Sequence, residues 1–375
     1  MLLLLLACGP TTPDSAAPDT GSGLPPIDEV TSARLQAALE QVHAELGVPG
    51  ITAAYHQEGH QVWTGSVGIV DWDTQAAIAP QQPLKAGSIT KTVTAAATLQ
   101  LVEAGDLGLD DGVGEYVPSL AQHEGLQVRH LLNHSSGLEE YPALIEASEL
   151  SEPWTEEALL ALIAEQELRF PPGSQHVYTN ANYLVLGLVL EAVTGEDWQT
   201  TTGALLQEHA GAQARIPDPA GGWGEIGAGY MLGVPGEPIA VDGEIDFKDY
   251  LHNSVLGAAG NMSSDAEGLA LWSSALWGSD AVLSEDTLAL QVSESMELGG
   301  DTAYGLGVVV SQDAYGPLRW HNGAVNGYVA WAGHRPERGE SVAVLGNCWK
   351  QTMAGWDYTW STQVADALWE AAYAD

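Results

Sequence analysis

Apolar residues early in the chain repeat at the spacing of a helix. Leu35, Leu39, Val42 and Leu46 share one face of residues 31–46, and Gly47-Val48-Pro49-Gly50 stops the run. Alternating residues then predict strands over 51–56 and 61–67, joined by a turn through Glu58-Gly59. A long helical run opens around Ser88, continues to about Glu103 and ends at Gly105, a suitable C-cap. Helical periods return over 126–133, 156–165, 183–194 and 266–276. Residues 221–249 are rich in Gly and Pro and predict a long surface loop over the site. Past Tyr304, strands are expected over 305–312, 318–321, 328–334 and 341–347, and a last helix over 356–372. No internal repeat is evident. Strands at both ends with helices between them imply an α/β (α+β) fold. One sheet is built from about 27–87 and 290–375, and a mostly helical lobe at about 106–285 is inserted in the middle.

The apolar stretch 1–7 is too short to span a bilayer, which takes about 20 such residues. With Cys8 it reads as a secretory signal over 1–8. No Lys or Arg precedes the run, which points to a truncated beginning. Leu5-Leu6-Ala7-Cys8 followed by Gly9 resembles a bacterial lipoprotein box, in which Cys8 is lipidated and becomes the first mature residue. Residues 9–26 are Pro, Thr, Ser, Asp, Gly and Ala for the most part, a disordered tether ahead of the folded part at 27–375. The expectation is a protein exported to the bacterial cell envelope and lipid-anchored, periplasmic or outer-surface.

Charge narrows the partners. The 375 residues carry 50 acidic and 11 basic side chains, a formal net charge of -39. Such a surface repels nucleic acid and anionic headgroups, so contact with membrane is expected through a lipid anchor only. Two cysteines, Cys8 and Cys348, exclude a disulfide framework and a cysteine metal cluster. Cys348 reads as a small buried hydrophobe in a strand.

Three short motifs carry chemistry. Ser88 and Lys91 are three apart, so on a helix their side chains meet, and a partly neutral lysine can take the serine proton. Tyr178 and Asn180, two apart in an extended loop, point the same way. A tyrosinate beside a lysine is a competent base, and an Asn both donates to and accepts from a substrate amide. In His321-Asn322-Gly323-Ala324, at a strand end, Gly323 lets a substrate backbone lie against the edge and His321 could hydrogen-bond into the site. His130 and His134 are four apart, but Leu-Leu-Asn between them lacks the glutamate of H-E-x-x-H, and no metal or cofactor is expected. No G-x-S-x-G elbow surrounds Ser88 and no P-loop is present.

Together these motifs resemble the signature of the serine β-lactamase and penicillin-binding-protein superfamily. The likeness is to its branch of class C β-lactamases, D-Ala-D-Ala carboxypeptidases, esterases and D-aminopeptidases. Leu131-Leu132-Asn133-His134-Ser135-Ser136-Gly137-Leu138, Phe170-Pro171-Pro172-Gly173, Tyr304-Gly305-Leu306-Gly307 and the run His321 to Tyr328 fit it too, over roughly residues 30–370. The resemblance implies a β-lactamase/transpeptidase-like antiparallel sheet flanked by helices. It implies Ser88 as nucleophile, Lys91 as its proton acceptor and Tyr178 as general acid/base. Asn180 would bind the acyl-side amide, and His321 would stand for the third-motif lysine. The backbone N–H groups of Ser88 and Ala324 would form the oxyanion hole, with Asn322 and Gly323 beside the substrate.

The activity it implies is a serine hydrolase working through an acyl-enzyme on a small-molecule or peptide substrate such as a peptidoglycan peptide, a β-lactam or an ester. A D-Ala-D-Ala carboxypeptidase-like or D-peptidase activity comes first, then an esterase, a β-lactamase and a non-catalytic binding protein. The carboxypeptidases bind a terminal carboxylate with motif hydroxyls and a strand arginine. Here Asn322, Ala324 and Val308-Val309-Val310 stand at those places, and the arginines nearby are Arg319 and Arg335.

Overall fold

The computed structural model describes residues 23–218, 222–233, 236–239, 245–353 and 355–374. Cys8, the apolar start, most of the expected tether and parts of the expected 221–249 loop lie outside the described residues. Among the described residues no helix is long and apolar enough to cross a membrane.

Among the described residues nine strands form one sheet, in the order Ala76–Ala77, Trp63–Asp71, Gly50–Gln57, Glu340–Gly346, Tyr328–Arg335, Gly316–Val325, Val309–Asp313, Thr302–Tyr304 and Met296–Gly299. Every neighbouring pair is antiparallel. Early and late chain meet where Gly50–Gln57 pairs with Glu340–Gly346, with Ile51 opposite Gly346. The pleat then sorts the side chains. Ile51, Tyr55, Trp331, Val342 and Val344 join Leu35, Leu39, Trp360 and Trp369 in the core under the two terminal helices, Glu29–Leu46 and Ser361–Tyr373. Ala54, Ala330, Ala332 and Ala343 face the other way, into a larger core that includes Leu269 and Trp272. Small residues on that face let the Ala266–Gly278 helix lie close to the sheet.

Local signals start and stop these elements. Asp28 accepts the N–H groups of Val30 and Thr31 at 3.0 Å each, and Gly47, at φ 63°, ends the first helix. Between the two halves of the sheet the chain is mainly helical: Thr90–Ala104, Glu156–Ala164, Ala181–Thr194, Trp198–His209, Ala266–Gly278 and Glu285–Ser293.

Several expectations need correction. Residues 305–308 are not strand. Gly307, at φ +80°, turns the chain so close to the Thr90–Ala104 helix that a Cβ on it would fall 2.3 Å from the Ala95 Cβ. The strand begins at Val309 instead. The last helix starts at Ser361, because Gly355–Asp357 pairs back onto Cys348–Thr352 as a hairpin. Inside the expected 221–249 loop, Tyr230–Leu232 is a strand running parallel to Cys348–Lys350. Cys348 is itself fully buried, and burial raises its thiol pKa.

Candidate active site

Ser88 sits in a 3₁₀ turn, Gly87–Ile89, that feeds straight into the Thr90–Ala104 helix. The Thr90 hydroxyl donates to the Gly87 carbonyl at 2.6 Å and accepts the Met262 N–H at 3.0 Å, which ties the turn to the segment just ahead of the Ala266–Gly278 helix. One helical turn on, Lys91 is fully buried. Its Nζ lies 3.0 Å from Ser88 Oγ, 2.8 Å from Asn180 Oδ1 and 2.7 Å from the Ala259 carbonyl oxygen. Burial lowers its pKa to about 7, with the Glu140 carboxylate pulling the other way. A neutral amine in this place can donate to Asn180 and Ala259 and still accept the Ser88 proton.

Tyr178 is 39% exposed, and its hydroxyl comes close enough to Ser88 for the serine to shift its pKa. Desolvation raises its pKa, the Ser88 hydrogen bond opposes that, and the Glu140 charge adds to the rise. Lys91 Nζ stands 4.9 Å from the ring centroid. The phenol therefore keeps its proton at neutral pH. Asn180 is not extended, as its spacing from Tyr178 suggested. Its backbone is helical (φ -67°, ψ -23°) and leads into the Ala181–Thr194 helix.

His321 is buried on the Gly316–Val325 strand, with Nδ1 2.5 Å from the Asn322 carbonyl oxygen and Nε2 2.9 Å from the Tyr304 hydroxyl. A carbonyl only accepts, so Nδ1 carries the proton and Nε2 accepts from Tyr304. Burial, then the Lys91 charge, lower the imidazole pKa to about 3, so the ring is neutral. Its centroid lies 6.3 Å from that of Tyr178, and its two nitrogens are engaged by Tyr304 and Asn322.

Past Trp320, which pairs with Val309, the next strand has ended, and among the described residues no strand pairs with the edge from His321 to Val325 on that side. The Ser88 turn lies against it. A Cβ on Gly323 would fall 1.9 Å from the Ala86 carbonyl oxygen and 3.1 Å from Ser88 N. Gly87 is at φ +53°, and a Cβ on it would fall 2.9 Å from Ala324 N. These two glycines bring the Ser88 and Ala324 amides together. The pleat puts the Asn322 and Ala324 side chains on the face opposite His321 and Gly323.

Sequence reasoning missed Glu140. Its Oε2 accepts the Asn180 N–H at 2.7 Å and its Oε1 accepts Asn180 Nδ2 at 3.1 Å, so one carboxylate fixes the amide that Lys91 holds from the other side. Its only signal was its position two residues past the Leu131–Leu138 run. Tyr304 was visible only as part of a motif and Ala259 not at all. The two arginines near His321 are committed elsewhere: Arg319 donates to the Trp277 carbonyl at 3.2 Å, and Arg335 forms a two-pronged pair with Asp313 at 2.8 and 2.6 Å. His130 accepts the Gln127 N–H at 3.2 Å, and His134 lies under Tyr178. Among the described residues no group of three or more His, Cys, Asp or Glu could hold a metal ion.

A family description, Beta-lactamase, matches residues 35–360. A mitochondrial serine beta-lactamase-like protein of Mus musculus, LACTB, is 31% identical over 141 residues, 36% of this chain and 25% of the relative. The chain thus spans about a quarter of that relative's length. A D-stereospecific amidohydrolase from a Streptomyces species superposes with a TM-score of 0.71 at 26% identity, covering 91% of this chain and 98% of that one. The D-amino acid amidase of Ochrobactrum anthropi SV3, complexed with L-phenylalanine amide, shares the fold with a TM-score of 0.77 at 22% identity, over 91% and 98% of the two chains.

Proposed function

The chain belongs to the beta-lactamase family of hydrolases, and from that premise we propose that it is a D-peptidase, cleaving amide bonds next to D-amino acids through an acyl-enzyme on Ser88. One observation carries the reading: Lys91 Nζ, with a pKa near 7, sits between Ser88 Oγ and Asn180 Oδ1. Ser88 Oγ bonds to the substrate carbonyl carbon, and its proton passes to Lys91. The Ser88 and Ala324 N–H groups take the oxyanion. As the C–N bond breaks, the proton travels through the Tyr178 hydroxyl to the departing nitrogen. Water then attacks the ester, its proton returns by the same route, and Ser88 is released protonated. His321, through Tyr304, keeps the floor of the site neutral and fixed.

The substrate side rests on Glu140. A carboxylate on the acyl-binding Asn180 favours a free α-ammonium on the acyl residue. With Arg319 and Arg335 bound elsewhere, neither offers its guanidinium to a terminal carboxylate. That favours aminopeptidase- or amidase-like cleavage of D-amino acid amides and peptides over removal of a C-terminal residue. The D-stereospecific amidohydrolase and D-amino acid amidase found among the structural neighbours agree with this choice. Esters without a carboxylate are the second reading, favoured by the same missing anchor.

The test is turnover of D-alanine amide, a D-Ala-D-Ala peptide, a p-nitrophenyl ester and a fluorescent penicillin, with intact mass read alongside. Amide turnover with a transient acyl mass that Ser88→Ala abolishes is expected. Ester turnover alone makes the protein an esterase, and no reaction with any of them defeats the enzyme reading. We also propose envelope anchoring through lipid on Cys8, for which Leu5-Leu6-Ala7-Cys8 is the support. Mass spectrometry of the membrane-bound protein should find diacylglycerol there, and a cut elsewhere excludes it.

A further inference from the structure

We propose that His134 is a positioning residue for Tyr178, gripping the phenol by its ring and by the backbone on both sides so that the hydroxyl meets Ser88. This rests on the reading of Tyr178 as proton relay. The two rings lie 4.1 Å apart at 33°. The residues flanking Tyr178 bond to the same histidine: the Val177 N–H donates to the His134 carbonyl at 2.9 Å, and the Thr179 N–H donates to His134 Nδ1 at 3.3 Å.

The orientation of the imidazole is set from outside. Ser136 Oγ donates to Asn182 Oδ1 at 2.5 Å, which turns the Asn182 NH2 toward His134 Nδ1, 2.9 Å away. Nδ1 is thus an acceptor twice over, and Nε2 carries the hydrogen. That Nε2 is buried without a partner among the described residues. Burial, and then the Lys91 charge, hold the ring neutral. Tyr304 closes the edge, its ring 4.8 Å away and inclined at 67°. His134 also has φ +56°, a backbone that L side chains rarely adopt.

A residue that only filled space under Tyr178 would need neither the acceptor nor this backbone. An asparagine supplies the acceptor and tolerates the backbone but brings no ring, and a phenylalanine supplies the ring and no acceptor. The two variants therefore take the grip apart.

The readout is kcat/KM, which reports acylation, for a D-amino acid amide against a p-nitrophenyl ester, whose leaving group departs without a proton. His134→Asn should lower kcat/KM for the amide by about tenfold to a hundredfold and for the ester by no more than about threefold. Tyr178→Phe is the reference and should show the same selective loss, larger. His134→Phe, measured the same way, covers the case in which the Asn variant is unstable. Amide and ester falling together, or an unmoved ratio in both His134 variants while Tyr178→Phe moves it, overturns the proposal. A Tyr178→Phe ratio that does not move removes the relay reading itself, and the proposal with it.

Discussion

Gly323 and Ala86 touch through their backbones, with room for no side chain between them: a Cβ at 323 would fall 1.9 Å from the Ala86 carbonyl oxygen. Gly323→Ala must push the strand away from the Ser88 turn and separate the Ser88 and Ala324 amides, the proposed oxyanion donors. The expected result is a loss of about 10²–10³ in kcat with KM nearly kept, since losing one oxyanion donor has that effect. A variant with native kcat would remove the oxyanion role from this contact.

Lys91 accepts a proton only when neutral. Its pKa is lowered from 10.5 to about 7, so the active form is scarce below that pH and dominant above it. A plot of kcat/KM against pH should rise through about 7 and level off. Lys91→Met should lose that limb together with about 10²–10⁴ of the rate. A flat profile in the native protein would assign the base elsewhere.

Glu140 raises the Lys91 pKa and, in our reading, meets the substrate ammonium. Glu140→Gln should move the rising limb to lower pH. It should also raise KM for a free D-amino acid amide while leaving the N-acetylated amide unaffected. Equal effects on both substrates would reduce Glu140 to a support for Asn180.

Salt should stabilise this protein. Fifty acidic residues face 11 basic ones, so the folded surface repels itself. Screening shortens from about 30 Å at 0.01 M salt to about 3 Å at 1 M. Thermal unfolding followed by circular dichroism should shift upward by several degrees over that range. A melting temperature that falls with added NaCl would mean that attractive ion pairs outweigh the repulsion.

The sequence exposed what is local and hid what is assembled. Ser88 and Lys91 are visible because three residues on a helix make them neighbours. Strong periods such as Leu35, Leu39, Val42 and Leu46 gave their helix away. The Trp198–His209 helix went unseen because Thr200, Thr201, Thr202 and Gly203 are weak helix formers, and it stands on an Asp197 cap and on burial of Trp198, Leu205 and Leu206. Thr302–Tyr304 and Met296–Gly299 are too short to show alternation. Glu140, Ala259 and Tyr304 enter the site from segments far from the motifs they serve, and no spacing rule connects them.

The pairing of Ile51 with Gly346 fixes an order of events during synthesis. Ser88 and Lys91 leave the ribosome early, but the strand carrying Ala324 and the strand that joins the two halves of the sheet come near the end. Contacts of such long sequence separation form slowly and late. A growing chain therefore carries Ser88 without the Ala324 amide beside it, and the proposed site is complete only when the last strands close the sheet.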